Sequence, residues 1–99
     1  MSKNVIVRYR TRPEVADENA RLVEAVFAEL AEVDPGDFHY TTYRLDDGVT
    51  FVHVARFEGQ ENPLATLPAF AEFQRDLVGR CAEQPAPSDA TVVGSYGES

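Results

Sequence analysis

From Asn4 to Arg10 apolar and polar positions alternate, with Val5, Val7 and Tyr9 on one side and Ile6, Arg8 and Arg10 on the other. A period of two rich in β-branched and aromatic types predicts a strand. Thr11-Arg12-Pro13-Glu14 then reads as a helix start. Thr11 is placed to cap, Glu14 stands where a capping box needs it, and proline is tolerated in a first turn. Beyond it Val15, Leu22, Val23, Val26, Phe27, Leu30 and Val33 recur at three- and four-residue steps, with Asp17, Glu18, Glu24, Glu29 and Glu32 between them. That spacing gives a helix with one core stripe and a solvated acidic face. Asp34-Pro35-Gly36 ends it, because the residue before proline resists the α conformation and glycine takes positive φ.

Two β-rich runs, Asp37 to Leu45 and Val49 to Phe57, flank Asp46-Asp47-Gly48, the strongest hairpin signal in the chain. Two registers remain open. A two-residue Asp47-Gly48 turn sets Thr42 opposite His53; a three-residue loop with Gly48 left-handed sets Thr41 there. Glu58 to Asn62 is polar, and Asn62-Pro63 opens a short helical turn that Pro68 interrupts or restarts. From Pro68, the residues Phe70, Phe73, Leu77 and Cys81 make a narrow stripe on a second helix that ends before Pro85-Ala86-Pro87. Thr91 to Tyr96 reads as the last strand, and Gly97-Glu98-Ser99 as a fraying end. The order βαββαβ is the α+β, ferredoxin-like plan: an antiparallel four-stranded sheet with two helices on one face, in one domain of 99 residues.

Composition adds a constraint on assembly. Large apolar groups occupy both parities of the hairpin strands: Phe38, Tyr40, Val52 and Val54 alongside Tyr43, Leu45 and Phe51. Two helices cover only one sheet face, so the other needs a layer from a second subunit, and a homodimer through the sheet face is expected. Nine Lys plus Arg against seventeen Asp plus Glu give a formal charge of −8. That balance argues against nucleic acid or an anionic membrane surface as partner, since phosphates demand clustered cations. No apolar run approaches the roughly 18 residues of a membrane span, the N-terminus lacks a signal-peptide core, and the lone Cys81 precludes an intrachain disulfide. A cytoplasmic location is the expectation. His39 and His53 lack a Cys or carboxylate at ligand spacing, and the chain carries no phosphate loop, nucleophile elbow or CxxC, so neither a metal nor another cofactor is expected.

The opening Val5-Ile6-Val7-Arg8-Tyr9-Arg10-Thr11-Arg12-Pro13-Glu14, the run Phe51-Val52-His53-Val54-Ala55-Arg56-Phe57-Glu58 and the Asn62 to Leu77 segment with Phe70-Ala71-Glu72-Phe73 together resemble the antibiotic-biosynthesis-monooxygenase group of the dimeric α+β barrel superfamily. The resemblance implies a dimer paired through its sheets, helices outside, and a pocket in each monomer between sheet and helices. Haem-degrading relatives use an Asn on the first strand with a Trp and a His on the second helix; the corresponding places here hold Arg8, Leu67 and Leu77. Quinol and polyketide oxygenases often carry a Trp ending the third strand and a His on the second helix, where this chain has Phe57 and Leu67. Haem degradation is therefore not expected. A cofactor-independent oxygenase of small aromatic or polyketide-like molecules is the enzyme reading, set against a non-catalytic dimeric binding or structural protein. An isomerase or decarboxylase acting by proton transfer would use the same residues.

Under the enzyme reading His53 is the base, since a neutral imidazole can take a proton from a phenol or hydroquinone. The plain alternative is that it bonds to Thr41 or Thr42 and packs. Arg8, Arg10, Arg44 and Arg56 lie in strands, where an arginine reaches solvent, an acid or a ligand. Arg8, central in its strand and by the resemblance near the pocket, is assigned the substrate oxyanion. Tyr40, Tyr43 and Arg44 are candidate polar contacts, though tyrosines in a sheet are also ordinary amphipathic core, and Phe70 and Phe73 either line an apolar pocket or fill it as core.

Overall fold

The computed structural model describes residues 2–58 and 62–97, so the expectations for 59–61 and for the last two residues lie outside the described residues. The elements are β1 (Ser2–Thr11), a 3-10 turn at Pro13–Val15, α1 (Ala16–Val33), β2 (Phe38–Arg44), β3 (Thr50–Glu58), a 3-10 turn at Pro63–Thr66, α2 (Pro68–Arg75), α3 (Leu77–Arg80) and β4 (Cys81–Ala90). The strands form one antiparallel sheet in the order β2-β3-β1-β4, the ferredoxin-like topology.

The period of two in β1 sorts its side chains. Tyr9 and Thr11 are buried under the helices, with Val5 and Val7 half-buried on the same side, while Arg8 and Arg10 are exposed on the other. In β3 the buried set is Phe51, His53, Ala55 and Phe57, and Val52 and Val54 take the outer face. The core joins Tyr9 and Phe51 of the sheet to Val23 and Val26 of α1, Leu64 and Leu67 of the connection, and Phe73 and Leu77 of the second helical segment. Burial of each large apolar side chain contributes about 1.5–3 kcal/mol. Most of the chain's modest core is thus on one face of the sheet.

The hairpin combines features of both expected registers. Thr42 lies opposite His53, as the two-residue turn requires, yet Gly48 is left-handed at φ 80° and donates to the Leu45 carbonyl at 2.9 Å. The Asp47 carboxylate explains the combination: it accepts from the backbone N–H groups of Val49 and Thr50, each at 2.9 Å, and from the Thr50 hydroxyl. Those bonds, the Thr50 hydroxyl first, hold its carboxyl below the usual carboxylate range.

Three expectations are corrected. Thr11 does not cap a helix. It is the last residue of β1, its N–H bonds to the Val49 carbonyl at 2.9 Å, and its hydroxyl is buried with no hydrogen-bond partner among the described residues. The helix begins at Ala16, after the 3-10 turn. The second helix does not run unbroken to Cys81: Asp76, at φ −118° and ψ 20°, separates α2 from α3. Arg12 fixes the end of α3 to the end of β1, its N–H bonding to the Arg80 carbonyl at 2.8 Å and its guanidinium to the Gly79 carbonyl. The chain therefore enters the sheet at Cys81. The last strand is Cys81–Ala90, through both prolines, and Thr91 to Tyr96 lies outside it. β4 is an edge strand with register shifts opposite Tyr9 and Arg10, and such edges tolerate missing N–H donors.

Gly48→Ala tests the turn. A Cβ there meets nothing within 4 Å, so its cost is purely the left-handed backbone of a residue with a side chain. Denaturant unfolding is expected to show a loss of about 1–2 kcal/mol with an unchanged slope.

Candidate functional site

Between the helix-side face of the sheet and α2 lies a cavity of about 250 Å³. Val5, Val7, Tyr9, Tyr40, His53 and Ala55 line the sheet side; Leu64, Phe70, Phe73 and Leu77 form the opposite wall, and Pro85 and Pro87 of β4 close one flank. Asn62 and Gln74 add polar groups, Asn62 with its side-chain oxygen capping the Leu64 N–H at 3.0 Å. An apolar cavity of roughly 150 Å³ suffices for benzene. This one has room for a substituted ring.

His53 is brought to the wall by the centre of β3 and is 6% exposed. Each ring nitrogen faces a tyrosine. The Tyr9 hydroxyl lies 2.8 Å from Nε2, the Tyr40 hydroxyl is hydrogen-bonded to Nδ1, and the Thr42 hydroxyl lies 3.1 Å from Nδ1. The rings also pack: Tyr9 stacks on both Phe51 and His53, and Phe73 sits 5.5 Å from the imidazole centroid. Behind Tyr9 the bonds continue inward. Asn19 of α1 donates from Nδ2 to the Tyr9 oxygen at 2.9 Å, and Arg80 donates from Nε to Asn19 Oδ1 at 3.1 Å and from Nη2 to the Phe73 carbonyl at 2.7 Å. The Arg80 guanidinium also lies over the Phe73 ring, 5.5 Å from its centroid.

Burial controls protonation throughout. It pushes the His53 imidazolium down to about 4, pushes the Tyr40 phenol up to about 12 against the opposing hydrogen bond of Thr42, and raises Tyr9 above the usual phenol range. At neutral pH the site is an uncharged His flanked by two uncharged tyrosines. The buried Cys81 thiol is also pushed up by desolvation, with Arg80 opposing.

The structure gathers His53, Tyr40, Phe70 and Phe73 into one pocket. It separates the other three named residues from it. Arg8 is exposed on the opposite face, paired across the ladder with Val52, because side chains one position from Val7 and Tyr9 must point away from them. Tyr43 shares that outer face and is 54% exposed. Arg44 is on the helix side but at the far end of β2, where it pairs with Asp17 at 2.9 Å and covers the Phe51 ring. The sequence-based expectation that His53 bonds to Thr41 or Thr42 is met by Thr42, whereas sequence reasoning missed Tyr9, Asn19 and Arg80. A signal was present for one of them: Asn19 is a polar residue on the otherwise apolar stripe of α1.

The depressed His53 value fixes a pH dependence. The unfolded state binds a proton near the ordinary 6.5 and the folded state near 4, so this contribution is complete above about 6.5 and is lost as pH falls toward 4. Denaturant titrations between pH 7 and pH 4 are expected to lose about 3 kcal/mol from this source, a component absent from His53→Gln.

No family model matches the sequence, and no curated protein matches it. Solved structures do. Rv0793 from Mycobacterium tuberculosis superposes with a TM-score of 0.73 at 16% identity, covering 98% of this chain and 100% of its own. A mutant of SnoaB, a cofactor-independent oxygenase from Streptomyces nogalater, gives 0.71 at 15% identity and covers 98% of each chain. An antibiotic biosynthesis monooxygenase gives 0.68 at 16% identity, covering 95% of this chain and 100% of its own. With its four-stranded antiparallel sheet and helical face, the chain has the ferredoxin-like fold of the antibiotic biosynthesis monooxygenase structures.

Proposed function

We propose that the protein is a cofactor-independent monooxygenase acting on a small aromatic or polyketide-like molecule bound between β1, β3 and α2. The observation that carries this reading is the neutral His53–Tyr40 pair in the wall of a mostly apolar cavity sized for a substituted ring. Such a site presents few, fixed polar groups to a ligand. The fold shared with a cofactor-independent oxygenase supports it.

A substrate with an acidic ring methylene conjugated through aromatic rings to a carbonyl, such as an anthrone, supplies its own reducing electrons. Loss of one proton to solvent gives an enolate, which passes an electron to dioxygen. Joining carbon to oxygen gives a peroxide anion that takes a proton from solvent to become the hydroperoxide; loss of the second C–H proton then breaks the O–O bond and expels hydroxide, leaving a new carbonyl and, with that proton, water. The chain's task is to hold the enolate oxygen and keep the ring dry. The oxyanion role expected of Arg8 passes to Tyr40, because Arg8 lies across the sheet. His53, an imidazolium only near pH 4 and with tyrosines at both nitrogens, serves by positioning Tyr40.

Those same satisfied nitrogens favour a second reading, a non-catalytic binding protein. Oxygen uptake with a panel of anthrones and hydroquinones separates the two. Wild-type uptake above background, lowered at least about tenfold in Tyr40→Phe and His53→Ala and unchanged in Arg8→Ala, is the expected result. Equal rates in all four proteins, with ligand binding retained, select the binding reading.

The protein works as a homodimer through the outer sheet face, where Ile6, Val52 and Val54 are only half-buried and Tyr43 is exposed. Exposed apolar groups on a sheet face call for a covering layer. Sedimentation is expected to give a dimer; a monomer at micromolar concentration contradicts it.

A further inference from the structure

We propose that Arg80 and Asn19 set the direction of a hydrogen-bond chain that leaves the Tyr40 hydroxyl as a donor into the pocket, and that the ligand is an aromatic molecule presenting an anionic oxygen, a phenolate or enolate, to Tyr40. The inference rests on the pocket assigned above but not on oxygenation.

Direction follows from what each group can do. A guanidinium has donors and no acceptor, so the Asn19 atom facing Arg80 Nε at 3.1 Å is the carbonyl oxygen. The amide nitrogen therefore faces Tyr9 and donates to its oxygen at 2.9 Å. Tyr9 is 1% exposed, and the acceptor within reach of its own proton is His53 Nε2 at 2.8 Å. Were Nε2 protonated instead, the Tyr9 oxygen would receive two donors and its proton would be buried without an acceptor, costly in a site this dry. Nε2 is therefore the acceptor, and the single proton of the neutral ring sits on Nδ1. That proton is given to Tyr40, with Thr42 also in reach at 3.1 Å. Tyr40 accepts, from Nδ1 and from the Thr42 hydroxyl that also bonds to it, which leaves its own O–H to point elsewhere. Because Tyr40 lines the cavity, its proton is available to a ligand oxygen. Each link polarises the next, so a cation on α3 strengthens a neutral donor on β2. A donor of this kind in an apolar cavity favours an oxyanion over a neutral hydroxyl. Arg80 and Asn19 are positioning residues; Tyr40 is the group that meets the ligand.

Asn19→Asp is the reversing change. A carboxylate of nearly the same shape still accepts from Arg80, but it also accepts from Tyr9, where the amide had donated. The Tyr9 proton then turns to residue 19, the Tyr9 oxygen receives a proton from Nε2, and Nδ1 becomes an acceptor that takes the Tyr40 proton. Two measurements read this. Nitrogen-15 NMR of the imidazole at neutral pH is expected to show Nδ1–H in the wild type and Nε2–H in Asn19→Asp. With 4-nitrophenol as the probe, absorbance titration is expected to show the bound phenol ionising about one pH unit below the free one in the wild type, equivalent to about tenfold preference for the anion. That preference is lost in Asn19→Asp and in Tyr40→Phe. The wild-type tautomer and the Tyr40→Phe comparison hold without any change at the buried end. An Nε2–H tautomer in the wild type, an unchanged tautomer and preference in Asn19→Asp, or a probe that fails to bind the wild type overturns the inference. A protein that passes these tests and consumes no oxygen loses the oxygenase reading and keeps this one.

Discussion

A guanidinium can only donate, and Arg80 is buried to 4% exposure. Removing such a group from water costs several kcal/mol unless its donors find acceptors. Here they meet the Asn19 side-chain oxygen, the Phe73 carbonyl and the face of the Phe73 ring. Those partners come from α1 and α2, so the cation holds the two helices in one relative position. It also orients Asn19, and through it Tyr9, His53 and Tyr40. The five groups sit on α3, α1, β1, β3 and β2, and a shift in any one element breaks the series.

The interrupted second helix ends on the same contact. After the break at Asp76, Arg80 lies against Asn19, and its carbonyl receives the Arg12 N–H at the mouth of β1. Cys81 can then open a strand directly. That strand replaces the more hydrophobic-looking Thr91 to Tyr96 segment, whose Val93 and Tyr96 are fully exposed.

What was legible in the sequence follows from which forces are local. The alternation of β1, the apolar stripe of α1 and the turn residues Asp46-Asp47-Gly48 are short-range signals, and the corresponding elements stand where they pointed. His53, Tyr40, Phe70 and Phe73 could be nominated because their faces were countable by period. Arg8 could have been set aside by the same count, since it alternates with Val7 and Tyr9; assigning it to the pocket followed resemblance over parity. The β4 prolines looked like a terminator because their tolerance depends on edge position, a property of the assembled sheet. Arg80 and Asn19, sixty-one positions apart, are joined by one hydrogen bond that no window of the sequence contains.

A base and a donor make different demands on a histidine. A base needs an unspent lone pair and an affinity for protons near working pH, whereas burial here leaves His53 neutral down to about pH 4 and both nitrogens carry partners. A donor platform needs the opposite: a ring that stays neutral, one tautomer, and a partner whose proton is unspent. The desolvation that weakens the imidazole as a base also removes water that would scramble its tautomer. The stability sacrificed by burying an ionisable ring and a guanidinium has a return only if the polarity of the chain matters at its open end. That end is Tyr40, whose ring stacks between Phe27 and Phe38 beside the cavity. The arrangement makes chemical sense when what enters carries its negative charge on an oxygen and brings its own reactivity, leaving the chain to choose the ionisation state it will hold.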